Sequence, residues 1–176
     1  MMNLRAATID DLNLIANLHA NSWRDVYAQV LSSKYLKDDV VAERTALWTE
    51  RLKAPKANQL VLVAELNNNL VGFICCFGAN HNDYGSIIDN LHVSADCKGQ
   101  GIGKRLIKTA ITWLLNNYPN APLYLEVLEC NPKAIGFYQS IGAKELATAY
   151  WHTPCGNKAK EFLVGWQSLT DLNEKL

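Results

Sequence analysis

The chain has 176 residues, 49% of them hydrophobic, and its 17 Lys plus Arg balance 17 Asp plus Glu. That length and apolar content can build a sizeable core without staples, and no repeat or low-complexity stretch divides the chain, so one domain spanning 1–176 is expected. The even charge argues against a nucleic-acid partner, and the absence of a signal-like start or a run of about 20 apolar residues argues for a soluble, cytoplasmic protein without a membrane partner.

Leu4 to Ala7 reads as a short strand, and Thr8-x-x-Asp11 resembles a capping box ahead of a helix carrying Leu12, Ile15, Ala16 and His19. Leu36, Val40, Val41, Leu47, Trp48 and Leu52 mark a second amphipathic helix, closed by Pro55. Leu60 to Leu66 and Leu70 to Phe77 flank Asn67-Asn68-Asn69, the pattern of a β-hairpin, and Ile87 to Val93 is the next strand. A helix then runs from Gly101 to about Asn117, with Ile102, Leu106, Ala110 and Trp113 on its apolar stripe. Leu123 to Leu128 is a short apolar strand, and Pro132 to Ser140 is a helix stopped by Gly142. Strands near 143–151 and 160–166 complete the order β-α-α-β-β-β-α-β-α-β-β. This alternation predicts an α/β (α+β) domain with a mixed sheet flanked by helices.

The five cysteines are odd in number and contain no Cys-x-x-Cys pair. They are expected to be free thiols in a reducing compartment, with Cys75 and Cys76 on opposite faces of a strand. His19, His81, His92 and His152 have no metal-ligand spacing, so no metal is expected.

Lys98-Gly99-Gln100-Gly101-Ile102-Gly103-Lys104 lies between a strand and a helix, where glycines let a backbone approach an anion and the helix start offers unpaired N–H groups. The dinucleotide fingerprint fails, because Lys104 follows Gly101 by three and Ile102 follows Gly99 by three. The Walker pattern fails as well, since Gly103-Lys104 is followed by Arg105. What remains, Gly-x-Gly-x-Gly preceded by a cation, resembles the pyrophosphate loop of the GCN5-related N-acetyltransferase (GNAT) family, with Lys98 where that family prefers Arg or Gln. Lys98, Lys104, Arg105 and Lys108 are further candidates for the phosphates.

The resemblance covers about residues 60–166 and includes a second motif, Asn131-x-x-Ala134-x-x-Phe137-Tyr138-x-x-x-Gly142. It implies a mostly antiparallel GNAT-like acyl-CoA N-acyltransferase fold, with acetyl-CoA as co-substrate. It also implies pairing of Leu91, His92 and Val93 with the pantetheine arm, and cofactor contacts from Asn131 and Ala134, Asn131 being also a natural helix cap. In that setting Tyr138 is the candidate acid for the departing thiolate, since a phenol can donate in step with departure.

An ammonium has no lone pair, so a base is also needed. Glu126 interrupts the apolar run Leu123 to Leu128, in a Leu-Glu-Val context similar to the subfamily that acetylates N-terminal amines of ribosomal proteins. Asp89 is the other candidate; alternation places it on one strand face with Leu91 and Val93, and His92 on the opposite one. Trp23, Arg24, Tyr27 and Tyr35 are expected to shape the acceptor side, with Trp23 and Tyr27 as the substrate-binding candidates. The acceptor is a small amine, a polyamine or a peptide N-terminus, and a longer acyl chain or a homodimer is left open. The rival reading is a module that senses acyl-CoA without turnover, against which the retention of Tyr138 and Glu126 counts.

Overall fold

A computed structural model describes residues 1–176. The strands are β1 (Met2–Ala6), β2 (Gln59–Leu66), β3 (Asn69–His81), β4 (Gly85–Val93), β5 (Leu123–Leu128), β6 (Lys144–His152) and β7 (Lys158–Trp166). They form one sheet in the order β1-β2-β3-β4-β5-β7-β6, antiparallel throughout except for β4 beside β5. The helices are α1 (Leu12–Val26), α2 (Val40–Lys53), α3 (Ile102–Asn117), α4 (Pro132–Ser140) and α5 (Leu169–Lys175). This is the mixed sheet with flanking helices that the pattern of elements predicts, in the mostly antiparallel arrangement that the family resemblance implies.

Period-two alternation divides the core between the two sheet faces. Val61, Val63, Phe73, Cys75 and Ile87 pack with Ile15 and Ala16 of α1 and Trp48 of α2. Leu62, Ala64, Ile74, Cys76 and Ile88 pack with Leu106, Ile107, Ala110 and Leu114 of α3. Cys75 and Cys76 thus diverge to opposite faces as expected, both buried, and all five cysteines are free. Arg5 ties the edge strand to its neighbours through Asp11 at 2.7 Å and Glu65 at 2.6 Å.

The hairpin turns on two residues, Asn67 and Asn68, at φ of 51° and 65°, the left-handed pair that a tight hairpin demands. A wider helical turn over Tyr35–Asp39 precedes α2. Helix α5 lies beyond the expected elements: it is seven residues long and buries Leu169 and Leu172, too few apolar positions to carry a periodic signal. No helix is long and apolar enough to cross a membrane.

Two irregularities position the site. In the β3–β4 ladder Cys75 faces Asn90 while Cys76 faces Ile88, so Asp89 is an extra, bulged residue. The bulge resets the alternation, and Asp89 shares the α1/α2 face with His92 instead of pointing opposite to it: Arg51 of α2 bonds both Asp89 (2.7 Å) and Asn90 (2.6 Å), and His92 stacks on Phe73. Leu91 and Val93 pack on the α3 side. The second irregularity is that β4 and β5 pair only at Ser86–Leu123 and Ile87–Tyr124, after which the two strands diverge and open a wedge in the middle of the sheet.

Candidate active site

The wedge widens into a cavity of about 1190 Å³, lined by β4 from Ile87 to Val93, by β5 from Leu125 to Leu128, and by α4 and the loop before α3. This exceeds the usual span of single-ligand pockets, roughly 300–1,000 Å³, and leaves room for two reactants.

At one end, Gly99 and Gly101 hold φ of 79° and 77°, which only glycine adopts without strain. Gly101 caps α3, whose first internal bond runs from Arg105 N to Gly101 O at 3.1 Å, so the N–H groups of the preceding turn have no helical acceptor. A Cβ on Gly99 or Gly101 would meet nothing within 4 Å, and one on Gly103 only the Phe137 ring at 3.8 Å. The loop is therefore an open cradle of amides at the positive end of a helix, suited to a phosphate-like anion. Lys98, Gly99, Gly101, Ile102, Gly103 and Lys104 line it. Gln100 does not; its side chain turns back to the Asp96 carbonyl at 3.4 Å. Arg105 and Lys108 also lie outside the cavity.

Leu91, His92 and Val93 form the wall along β4. His92 hydrogen-bonds the Ser22 hydroxyl at 2.8 Å, and burial, helped by Lys98 and Arg44, lowers its pKa to about 3, so it stays neutral. On the opposite wall, Asn131 Oδ1 accepts from Ala134 N at 3.2 Å, capping α4, while its amide nitrogen has no protein partner. Tyr138 is 9% exposed, packs against Phe137 and Trp166, lines the cavity, and has no protein partner for its hydroxyl. Burial, followed by Tyr27 and Cys76, raises its pKa, so it is a protonated phenol at neutral pH.

The other half of the cavity carries Glu43, Asp89, Glu126 and Glu161. Asp89 is engaged by Arg51 at 2.7 Å, and Glu43 by Arg44 at 2.6 Å. Glu126 points into open space, yet desolvation and then the nearby Asp89 raise its pKa. Glu161 is pushed up to about 7, by burial first and by Glu126 second. Nothing in the sequence singled out Glu161, since a charge beside Lys160 in a strand reads as solvated; the available signal was its period-two spacing from the inward-facing Leu163.

Trp23 and Tyr27 line this half together with Trp151, which contacts them at ring distances of 5.5 and 6.3 Å. Arg24 and Tyr35 do not. Arg24 donates to the Leu36 carbonyl at 2.8 Å, and Tyr35, in one cluster with Trp23, donates to Glu43 at 2.6 Å. Both brace the segment between α1 and α2 instead of facing the cavity.

The acetyltransferase (GNAT) family model matches residues 20–143, which include the wedge, the glycine loop and α4. The chain belongs to the GNAT family. This acetyltransferase is 27% identical over its whole length to YuaI, an uncharacterized N-acetyltransferase of Bacillus subtilis, covering 99% of that protein. It is 30% identical over 143 residues to a probable N-acetyltransferase of Mycobacterium tuberculosis, covering 78% of this chain and 77% of that one. Among solved structures it is similar to a GCN5-related N-acetyltransferase from Rhodopseudomonas palustris, with a TM-score of 0.72 at 21% identity, covering 93% of this chain and 94% of that one. It is also similar to PaiA N-acetyltransferase from Thermoplasma acidophilum in complex with coenzyme A, with a TM-score of 0.68 at 21% identity, covering 92% of this chain and 98% of that one. The chain is an acetyl-CoA-dependent acetyltransferase by family, and the two structural likenesses establish its fold.

Proposed function

We propose that this acetyltransferase moves the acetyl group directly from acetyl-CoA to a primary amine bound in the same cavity, without an acetylated enzyme. The observation that carries the reading is one continuous cavity lined at once by an amide cradle, an unpartnered buried phenol and an unpartnered carboxylate. The amides of 99–104 and Lys98 and Lys104 would hold the pyrophosphate, the free edge of β4 at Leu91–Val93 would pair with the pantetheine arm, and the Asn131 amide and Ala134 would bound it from α4.

Glu126 would accept the proton of the incoming ammonium, because its raised pKa suits a base and no cation occupies it. Asp89 is the poorer candidate, since Arg51 already holds its Oδ2. The freed amine attacks the thioester carbonyl, a C–N bond forms as the C–S bond breaks, and Tyr138 gives its hydroxyl proton to the departing thiolate. The surplus proton of the acylated nitrogen passes to the phenolate so formed, leaving the amide and neutral Tyr138 while Glu126 returns its proton to water. Trp23 and Tyr27 would wall the acceptor.

Thiol release from acetyl-CoA with an amine panel tests this. Tyr138→Phe and Glu126→Gln should each lower kcat by about 10²- to 10⁴-fold while acetyl-CoA still binds, and Asp89→Asn should lower it less. Undiminished turnover by Tyr138→Phe would remove the acid role, and tight binding without thiol release from any amine would favour a sensor.

A further inference from the structure

Of the four carboxylates in the acceptor half, two are neutralised inside the protein: Asp89 by Arg51, and Glu43 by Arg44. Glu126 and Glu161 have neither a cation within ion-pair distance nor a hydrogen-bond donor. The cavity's remaining cations, Lys98, Lys104 and Lys133, belong to the glycine loop and the first turn of α4. The unpaired groups are thus segregated along the cavity, with free cations at the amide cradle and unpartnered carboxyls at the acceptor end.

Strand register gives the spacing. Glu126 faces Leu163 and Leu128 faces Glu161, so the two glutamates are diagonal neighbours on one sheet face, with Cα atoms about 7–8 Å apart. On the next strand Ala149 faces Glu161 and Trp151 faces Ala159, which makes Trp151 the diagonal neighbour of Glu161 on its far side. Glu161 therefore lies between the candidate base and an aromatic group of Trp151, Trp23 and Tyr27; Arg44 already sits over Trp23 at 4.2 Å, which leaves Trp151 and Tyr27 as the rings to attract a further cation.

Resting on the transfer reading above, we infer that the acceptor carries two ammonium groups a few carbons apart, with Glu161 holding the second while the first reacts at Glu126. Glu161 is then a specificity-determining residue. A monoamine of the same length leaves it desolvated and unpaired, and an aminocarboxylate sets like charges against each other, so both are disfavoured.

The test compares 1,4-diaminobutane, 1-aminobutane and 4-aminobutyrate in two assays: kcat/KM from thiol release, and binding to the CoA-loaded protein from tryptophan fluorescence. The diamine should exceed the monoamine by about tenfold or more in both, with the aminocarboxylate last. Glu161→Gln should collapse the diamine-to-monoamine ratio toward one, and Glu161→Asp should restore part of it, which a merely structural role would not do. Equal binding and equal kcat/KM for diamine and monoamine in the wild-type protein would overturn the inference, as would a Glu161→Gln variant that keeps the ratio. Tighter diamine binding with no thiol release from any amine would support Glu161 and strike the transfer reading; thiol release with a ratio of one would do the reverse.

Discussion

His19 gives this fold a titratable weakness that can be measured apart from catalysis. It is fully buried between Trp23, Trp48 and Phe73, accepts from Trp48 Nε1 at 3.1 Å through Nδ1, and leaves Nε2 without a partner. Because the indole only donates, the imidazole is neutral with its proton on Nε2. Burial, then His92, Arg44 and Arg51, hold its pKa well below the ordinary 6.5. A base depressed in the folded state favours folding above its unfolded pKa, and that stability is lost as pH falls below 6.5, because only the unfolded chain then takes up the proton. Each pH unit below that point costs about 1.4 kcal/mol, so by pH 5 His19 alone costs about 2 kcal/mol. Other groups titrate over the same range, Glu161 in the opposite sense, and comparison with His19→Leu cancels them. The variant loses the acceptor for Trp48, at about 1–3 kcal/mol independent of pH. Urea unfolding at pH 7, 6 and 5 should show the wild-type advantage shrinking by about 2 kcal/mol across the series. Stability differences that stay parallel with pH would refute the assignment of the acid loss to His19.

Substitutions at Gly103, Gly99 and Asn131 separate structure from ligand binding in the proposed cofactor half. Gly103→Ala adds a Cβ that meets only Phe137 at 3.8 Å and favours the helix by about 1 kcal/mol, so stability should hold or rise while acetyl-CoA affinity by calorimetry falls about tenfold. Gly99→Ala, at φ of 79°, should instead destabilise by about 1–2 kcal/mol in a thermal or urea melt. Asn131→Asp keeps the oxygen that caps Ala134 but loses the free amide N–H, so acetyl-CoA affinity should drop with the melting temperature retained; Asn131→Ala should lose both, the cap costing about 1 kcal/mol.

The glycine loop was legible because its backbone geometry demands glycine: positive φ at Gly99 and Gly101, just ahead of a helix, leaves a spacing that can be counted. Strand and helix order was legible for a similar reason, since Leu123 to Leu128 and Pro132 to Ser140 carry their own periodicity and boundaries. The bulge at Asp89 was not. Alternation assumes an unbroken ladder, and the extra residue is defined by β3, not by anything within Ile87 to Val93. Glu161 and the Arg51–Asp89 pair escaped for the same reason, being products of pairing between segments distant in the chain. Arg24 and Tyr35 read like pocket residues because aromatic and cationic side chains near a cavity and near a brace look alike until their partners are known.

The brief pairing of β4 with β5 has a consequence for aggregation. An open sheet normally exposes two edges, here β1 and β6, and each is a template for another strand. The divergence beyond Ile87 and Tyr124 creates two further half-edges in the interior, along Leu91–Val93 and Leu125–Leu128. Both line the cavity between β4 and β5, while each strand keeps its other edge paired, β4 to β3 and β5 to β7. Their unpaired backbone groups thus face the cavity and not the rim of the sheet, where the exposed edges lie.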